Sequence, residues 1–272
     1  MDNIKLLGLQ RAEFQRAEKL QKWANRLQIS NVVASIACVI IQEILLVYTL
    51  SIISILLALA WFFMSEESKM SHSTAERARR AIVIRNGLGI KLGSKPYSDL
   101  VMLFKASSDN ARQWEDKEYF KSESEYGNQK LAEIVEESAF WSKFLLQEYA
   151  KNTWLHFSSV LVVSIIALFL ITFFDFTQLG KTIGQIFCLI LMWLITGNLF
   201  SKALKLTSSS SAVNSIEERL NNLIQGGEVK DDIIIYMSDY NSVIEGTPVI
   251  PSKIYLKNKD KLNCLWKDRD ER

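Results

Sequence analysis

Four arginines, Arg77, Arg79, Arg80 and Arg85, fall within nine residues, and Lys91 and Lys95 follow in a glycine-rich stretch. Guanidinium groups grip phosphate bidentately, so this run is phosphate-binding material. Two sources of phosphate fit it. One is the phospholipid headgroup, on which a juxtamembrane basic run forms a collar. The other is a nucleotide phosphate held by Arg77, Arg80, Arg85 and Lys91, with the base stacked on an aromatic side chain such as Tyr97, Trp114 or Tyr119.

Enzymatic chemistry finds less material. Of two histidines, His72 lies in a polar stretch and reads as solvated or headgroup-facing, and His156 opens an apolar tract. No H-E-x-x-H, G-x-S-x-G, Walker A or zinc spacing is present. The run "GLGIKLG" has the wrong glycine spacing for a dinucleotide fingerprint and follows a basic helical segment where that motif needs a buried strand. Glu136 and Glu137 are adjacent and face different directions on a helix, so they form no catalytic dyad. No enzyme activity, cofactor, metal or disulfide is expected: Cys38 and Cys188 fall in apolar tracts and Cys264 in the tail, without C-x-x-C spacing.

These residues must be positioned by elements that the charge distribution makes unusual. Averaged over 272 residues, 49% apolar and 23% charged describe an ordinary soluble protein and exclude a disordered chain, a collagen-like repeat and a disulfide scaffold. The charges are segregated, however. Between Gln28 and Met64 the one acid or base is Glu43, and between Leu155 and Phe174 the one candidate is His156. As a single helix the tract 28–64 would be about 55 Å long, too long for a hydrocarbon core of about 30 Å. It therefore divides near Val47–Ser51 into spans 28–46 and 47–64. A second pair follows at 155–174 and 183–200. Lys and Arg number 6 before residue 28, 14 over 65–154 and 11 after residue 200, which places both termini and the middle segment in the cytoplasm. A signal peptide does not fit the first tract, because acids precede it and no small-x-small site follows.

The expected fold is an all-α membrane protein with two transmembrane hairpins, four spans in all, and helical extensions forming a cytoplasmic domain. Its parts are an amphipathic helix over 1–27, a first hairpin over 28–64, a helical domain and stalk over 65–154, a second hairpin over 155–200 and an extension with tail over 201–272. Helical period without Gly or Pro predicts one helix of about 45 residues from Gln129 to Phe174. Asp99–Trp114 also reads as helix. The fourth span extends inward until Gly226 and Gly227. Asp231 and Asp232 suit a helix start, although Ile233–Ile235 also fits a strand. Pro248 and Pro251 impose an extended turn before a short amphipathic close.

Within the spans, Glu43 is the one carboxylate, either a benign interfacial group near the outer end or a pore-lining or gating residue. Gln42, Gln185, Thr196 and Asn198 are material for hydrogen bonds between helices. Asp175 and Lys181 sit at the second turn as interfacial charges.

Four segments, "LQRAEFQRAEKLQKW", "AERARRAIVIRNGLG", "ESAFWSKFLLQEYAKNTW" and the tail string "DYNSVIEGTPVIPSKIYLKNKDKLNCLW", make the chain similar to a pore-forming four-transmembrane effector family associated with bacterial cyclic-oligonucleotide antiphage systems. The tail is the most specific, joining D-Y-N to P-x-I-P, Tyr255 and L-N-x-x-W. The resemblance implies an inner-membrane effector whose cytoplasmic part senses a cyclic nucleotide from a cognate nucleotidyltransferase, and whose spans then make the bilayer leak and arrest growth. Four spans enclose no aqueous path alone, so a pore requires a homo-oligomer or gross bilayer disruption. No DNA or RNA partner is expected. The rival readings are a small channel or transporter component, disfavoured by spans without proline, and a membrane scaffold that recruits a soluble partner.

Overall fold

The computed structural model describes residues 3–41, 43–114, 119–172, 177–196, 199–227, 229 and 231–270. Gln42, Asp175 and Asn198 lie outside them, as do the side chains of Lys181 and Thr196. Among the described residues every regular element is an α-helix: α1 (Asn3–Ile40), α2 (Ile44–Leu88), α3 (Ser94–Leu103), α4 (Ser108–Arg112), α5 (Asn128–Thr172), α6 (Thr177–Thr196), α7 (Leu199–Gln225), α8 (Ile233–Glu245) and α9 (Ser252–Asp270). The chain divides into two units, and the boundaries between them fall inside helices.

One unit comprises Leu20–Glu66 and Ala150–Lys205. Three helical stretches, Ile44–Leu88, Asn128–Phe169 and Thr182–Gln225, are long and apolar enough to cross a membrane, and no residue in the most apolar stretch of α2 is buried. Their large side chains point outward: Leu45 is 73% exposed, Phe63 67% and Val163 65%. Water would penalise such a surface heavily, and hydrocarbon would not. The chain is a membrane protein by this criterion. Asn31 on α1 accepts a hydrogen bond from Ser54 on α2, and Trp154 and Phe157 on α5 pack on Phe200 of α7. The first turn falls between Ile40 and Ile44, earlier than the predicted Val47–Ser51. The hydroxyls there do not interrupt the helix, because Thr49 donates to the Leu45 carbonyl (2.9 Å) and Ser51 to that of Val47 (2.8 Å), satisfying themselves within it. Glu43 consequently sits exposed in the turn.

The other unit gathers Met1–Lys19, Glu67–Tyr149 and Leu206–Arg272. Its packing is that of a soluble protein, with Ala17, Ala75, Leu131, Ile134, Leu206, Leu220 and Ile233 fully buried. One cluster joins Leu6 and Leu7 of α1, Ala78 and Ile82 of α2 and Leu100 of α3, with Tyr97, Phe104, Tyr119 and Phe120 against it. A second joins Phe140 and Leu145 of α5 to Leu262 and Trp266 of α9, with Trp141, Ile250, Ile254 and Tyr255 alongside. Helix α5 runs unbroken for 45 residues, matching the length its period predicts. Residues 233–245 are helix, which removes the strand alternative, and α9 is longer than the predicted short close.

The predicted Asp99–Trp114 helix is instead two helices separated by Phe104–Ser107. The fully buried Glu13 of α1 provides the reason. One of its oxygens accepts the backbone N–H of both Lys105 (3.0 Å) and Ala106 (2.8 Å), replacing helical partners with a charge-assisted pair. At the end of α2, Gly87 lies so close to α5 that a Cβ would meet the Leu131 Cα at 2.8 Å, and Gly89 adopts φ +72°, a conformation that favours glycine.

Candidate functional site

The predicted basic residues take up different settings. Arg77 and Lys91 are exposed. Arg80 pairs with Glu245 of α8 at 3.0 Å. Arg85 occupies the last turn of α2, where a cation suits the helix dipole. Arg79 points the other way, into the protein. It lies four residues after Ala75 and three before Ile82, both buried, so helical spacing commits it to the interior face.

There Arg79 is the centre of a polar network. Its Nε donates to Glu76 at 2.6 Å, its Nη2 donates to the Asn241 Oδ1 at 2.9 Å, and its guanidinium lies 4.9 Å over the Tyr240 ring. Tyr240 is buried in turn, shares a 2.8 Å hydrogen bond with Ser142 and donates to the Ser138 carbonyl at 3.1 Å. Burial pushes its hydroxyl pKa up, while Arg79 opposes that shift. His72 belongs to this interior too, contrary to its expected solvated position. It is 9% exposed, tilts against Phe14 with ring centroids 5.6 Å apart, and places Nε2 3.7 Å from Glu76. Desolvation lowers its pKa, and the nearby carboxylate does not fully offset this. A second polar group lies by α9. There Glu217 accepts from Lys143 (2.7 Å) and Arg269, and Arg269 also reaches Glu136 at 2.6 Å. Glu137 faces elsewhere, toward the Lys121 N–H, as adjacent helical positions must.

The three candidate stacking aromatics do come together. Tyr97 and Tyr119 pack on the same cluster of α1, α2 and α3 side chains. Trp114 and Tyr119 are joined through Arg11, a residue outside the predicted set, whose guanidinium lies 5.9 Å over the indole and 4.9 Å over the phenol ring. Against the effect of burial, the Tyr119 and Tyr255 hydroxyls also act on Arg11 and help to hold its pKa up. Tyr119 also acts electrostatically on Arg79. Gln10 Oε1, Arg79 Nη1, the Tyr97 hydroxyl and Trp114 Nε1 are among the buried polar atoms with no hydrogen-bond partner. The sequence did carry a signal for Arg11. Ile4, Leu7 and Phe14 make a helical stripe, and Arg11 stands on that stripe between Leu7 and Phe14.

Glu43 is exposed between α1 and α2, and Gln185 is exposed on α6. Among the described residues no group of three His, Cys, Asp or Glu side chains could hold a metal ion. What the arrangement offers chemically is buried positive charge beside aromatic faces. Comparison of the chain with protein-family models, with curated proteins and with solved structures gave no match.

Proposed function

We propose that this chain is a membrane-permeabilising effector of bacterial antiphage immunity, held in the inner membrane with both termini cytoplasmic and controlled by a cyclic nucleotide. The observation that carries the proposal is where the four resembling segments lie. Arg11 from the first reaches Tyr255 of the tail. Arg79 and Arg80 from the second engage Asn241 and Glu245 of the tail. Trp141 from the third packs against Tyr255 with ring centroids 5.8 Å apart. Similar residues that converge on one interior speak for a shared fold and ligand-sensing role, where scattered ones would speak for coincidence.

Four spans also fit the dimensions. The part of α1 that belongs with the apolar helices, Leu20–Ile40, would be about 30 Å long, enough to pair with the start of α2 as a hairpin. Its charges, Lys22 and Arg26, stand at one end, where long basic side chains extend toward headgroups. Few charges line these spans, so conduction is a property of an assembly of copies or of a disrupted bilayer. The ligand either releases or restrains that state.

Membrane potential tests the reading. Cells induced to express the intact chain, with and without a co-expressed cyclic-nucleotide synthase, are followed with a voltage-sensitive dye. The expected result is depolarisation that depends on the synthase. Unchanged potential in both states, with the chain confirmed in the membrane, would overturn the proposal in favour of a scaffold.

A further inference from the structure

We infer that the interior around Arg11, Trp114, Tyr119, Tyr97 and Arg79 is a binding site for an anion joined to a planar heteroaromatic ring. The inference rests on the proposed function in one respect: a cyclic nucleotide combines both chemistries, and this site is where it binds. The exposed Arg77 and Lys91 are then not its anchors.

Charge balance gives the first reason. Other cations of this unit's interior face carboxylates: Arg79 has Glu76, Lys143 has Glu217, Arg269 has Glu136 and Glu217, and Arg16 has Glu67. Arg11 forms no such ion pair among the described residues, and its named partners are the rings of Trp114 and Tyr119 and the hydroxyls of Tyr119 and Tyr255. An incoming anion would give this half-buried guanidinium a charged partner that the aromatic rings do not supply.

Unmet hydrogen bonds give the second. Arg79 Nη1, Trp114 Nε1 and the Tyr97 hydroxyl are buried donors with no acceptor, and Gln10 Oε1, beside Arg11 on α1, is a buried acceptor with no donor. Native interiors leave few such atoms, and two of these, on Trp114 and Tyr97, belong to side chains that pack with Arg11 or Tyr119, where another molecule can complete the bonding. Three donors against one acceptor match phosphate oxygens together with one ring N–H or amino group.

The aromatic faces give the third. In this structure Arg11 covers the faces of Trp114 and Tyr119, the same faces on which a base stacks. A base taking those faces frees the guanidinium to turn to the phosphate, where its fork binds two oxygens at once.

The test is calorimetric titration of the purified full chain in detergent micelles with cyclic di-AMP, cyclic di-GMP and cyclic tri-AMP. Saturable binding of at least one is expected, weakened at least tenfold by Arg11→Ala and by Trp114→Leu, and changed less than twofold by the double variant Arg77→Glu, Lys91→Glu. Tyr97→Phe removes an unpartnered hydroxyl and no packing, so it folds as the parent does and is expected to weaken binding severalfold. Arg11→Lys serves the same purpose should Arg11→Ala fail to fold. Binding by the parent chain that neither Tyr97→Phe nor Arg11→Lys alters, or that the surface double variant abolishes, overturns the site. So does no binding of any of the three probes. A chain that depolarises cells when the synthase is present yet fails these criteria loses the site and keeps the function, whereas binding at Arg11 without depolarisation does the reverse.

Discussion

Arg79 and Asn241, 162 residues apart in sequence, are joined by a 2.9 Å hydrogen bond from the guanidinium Nη2 to the amide oxygen. The bond ties α2 to α8, and Arg79 simultaneously neutralises Glu76, whose side chain is 5% exposed. Arg79→Ala therefore leaves a buried carboxylate uncompensated and is expected to cost about 3–5 kcal/mol. Asn241→Ala removes one bond and should cost about 1–3 kcal/mol. Thermal unfolding of the detergent-solubilised chain measures both. The double variant should lose less than the two losses added, because the residues share a contact. Strict additivity would show that the bond carries no coupling.

Glu13 sets where the α3 helix ends. With Glu13→Ala the N–H groups of Lys105 and Ala106 lose their common acceptor, at a cost of about 1.5–3 kcal/mol for the lost hydrogen bonds to a charged group. Limited proteolysis should then cut between Phe104 and Ser107 faster than in the parent chain, with the other cleavage sites unaffected. A uniform increase at every site would indicate global destabilisation instead.

His72 makes stability depend on pH in a defined direction. Desolvation holds its folded-state pKa below the ordinary 6.5, so over the interval below 6.5 the unfolded chain takes up the proton and the folded chain does not. Its contribution is complete above about pH 6.5 and is lost as pH falls through the folded-state value, by at most about 1.4 kcal/mol per pH unit. His72→Phe keeps the ring against Phe14 and removes the proton site. Its unfolding temperature should change less between pH 7.5 and pH 5.5 than that of the parent chain, and equal slopes would contradict the assignment.

Gly87 has no room for a side chain. A Cβ there would meet Leu131 backbone at 2.8 Å, so Gly87→Val should cost about 1–3 kcal/mol through overpacking. Gly184, with nothing within 4 Å of its Cβ position, is the control, and Gly184→Ala should leave the unfolding temperature unchanged or raise it.

The position of Glu43 can be read by labelling. In a chain lacking its native cysteines, Glu43→Cys should react with a membrane-impermeant maleimide added to intact cells whose outer membrane has been opened. Lys91→Cys should react after lysis and not before. The reverse pattern would invert the topology, and reaction of both from one side would remove the first hairpin.

Much of the helical framework was legible in the sequence because helix formation and burial in hydrocarbon are local properties. The unbroken α5 and the stop at Gly226 and Gly227 follow from period and composition, whereas α8 after Asp232 was one of two readings that Ile233–Ile235 allowed. Segregated charge marked the apolar helices before any coordinate was known. The turn after Ile40 escaped this reading because length shows only that the tract divides, and Thr49 and Ser51 bond back to their own helix instead of ending it. The break after Leu103 escaped it because its cause, Glu13, lies about ninety residues upstream. The site divides along the same line. That arginines and aromatics were present, and that Arg79 and Arg11 stand on buried faces, is contained in helical spacing. Which arginine meets which aromatic is not, because sequence separation fixes no distance between elements. Arg11 meets Trp114 and Tyr119, and Arg80 is spent on Glu245, only because the packing of helices distant in sequence decides which side chains meet.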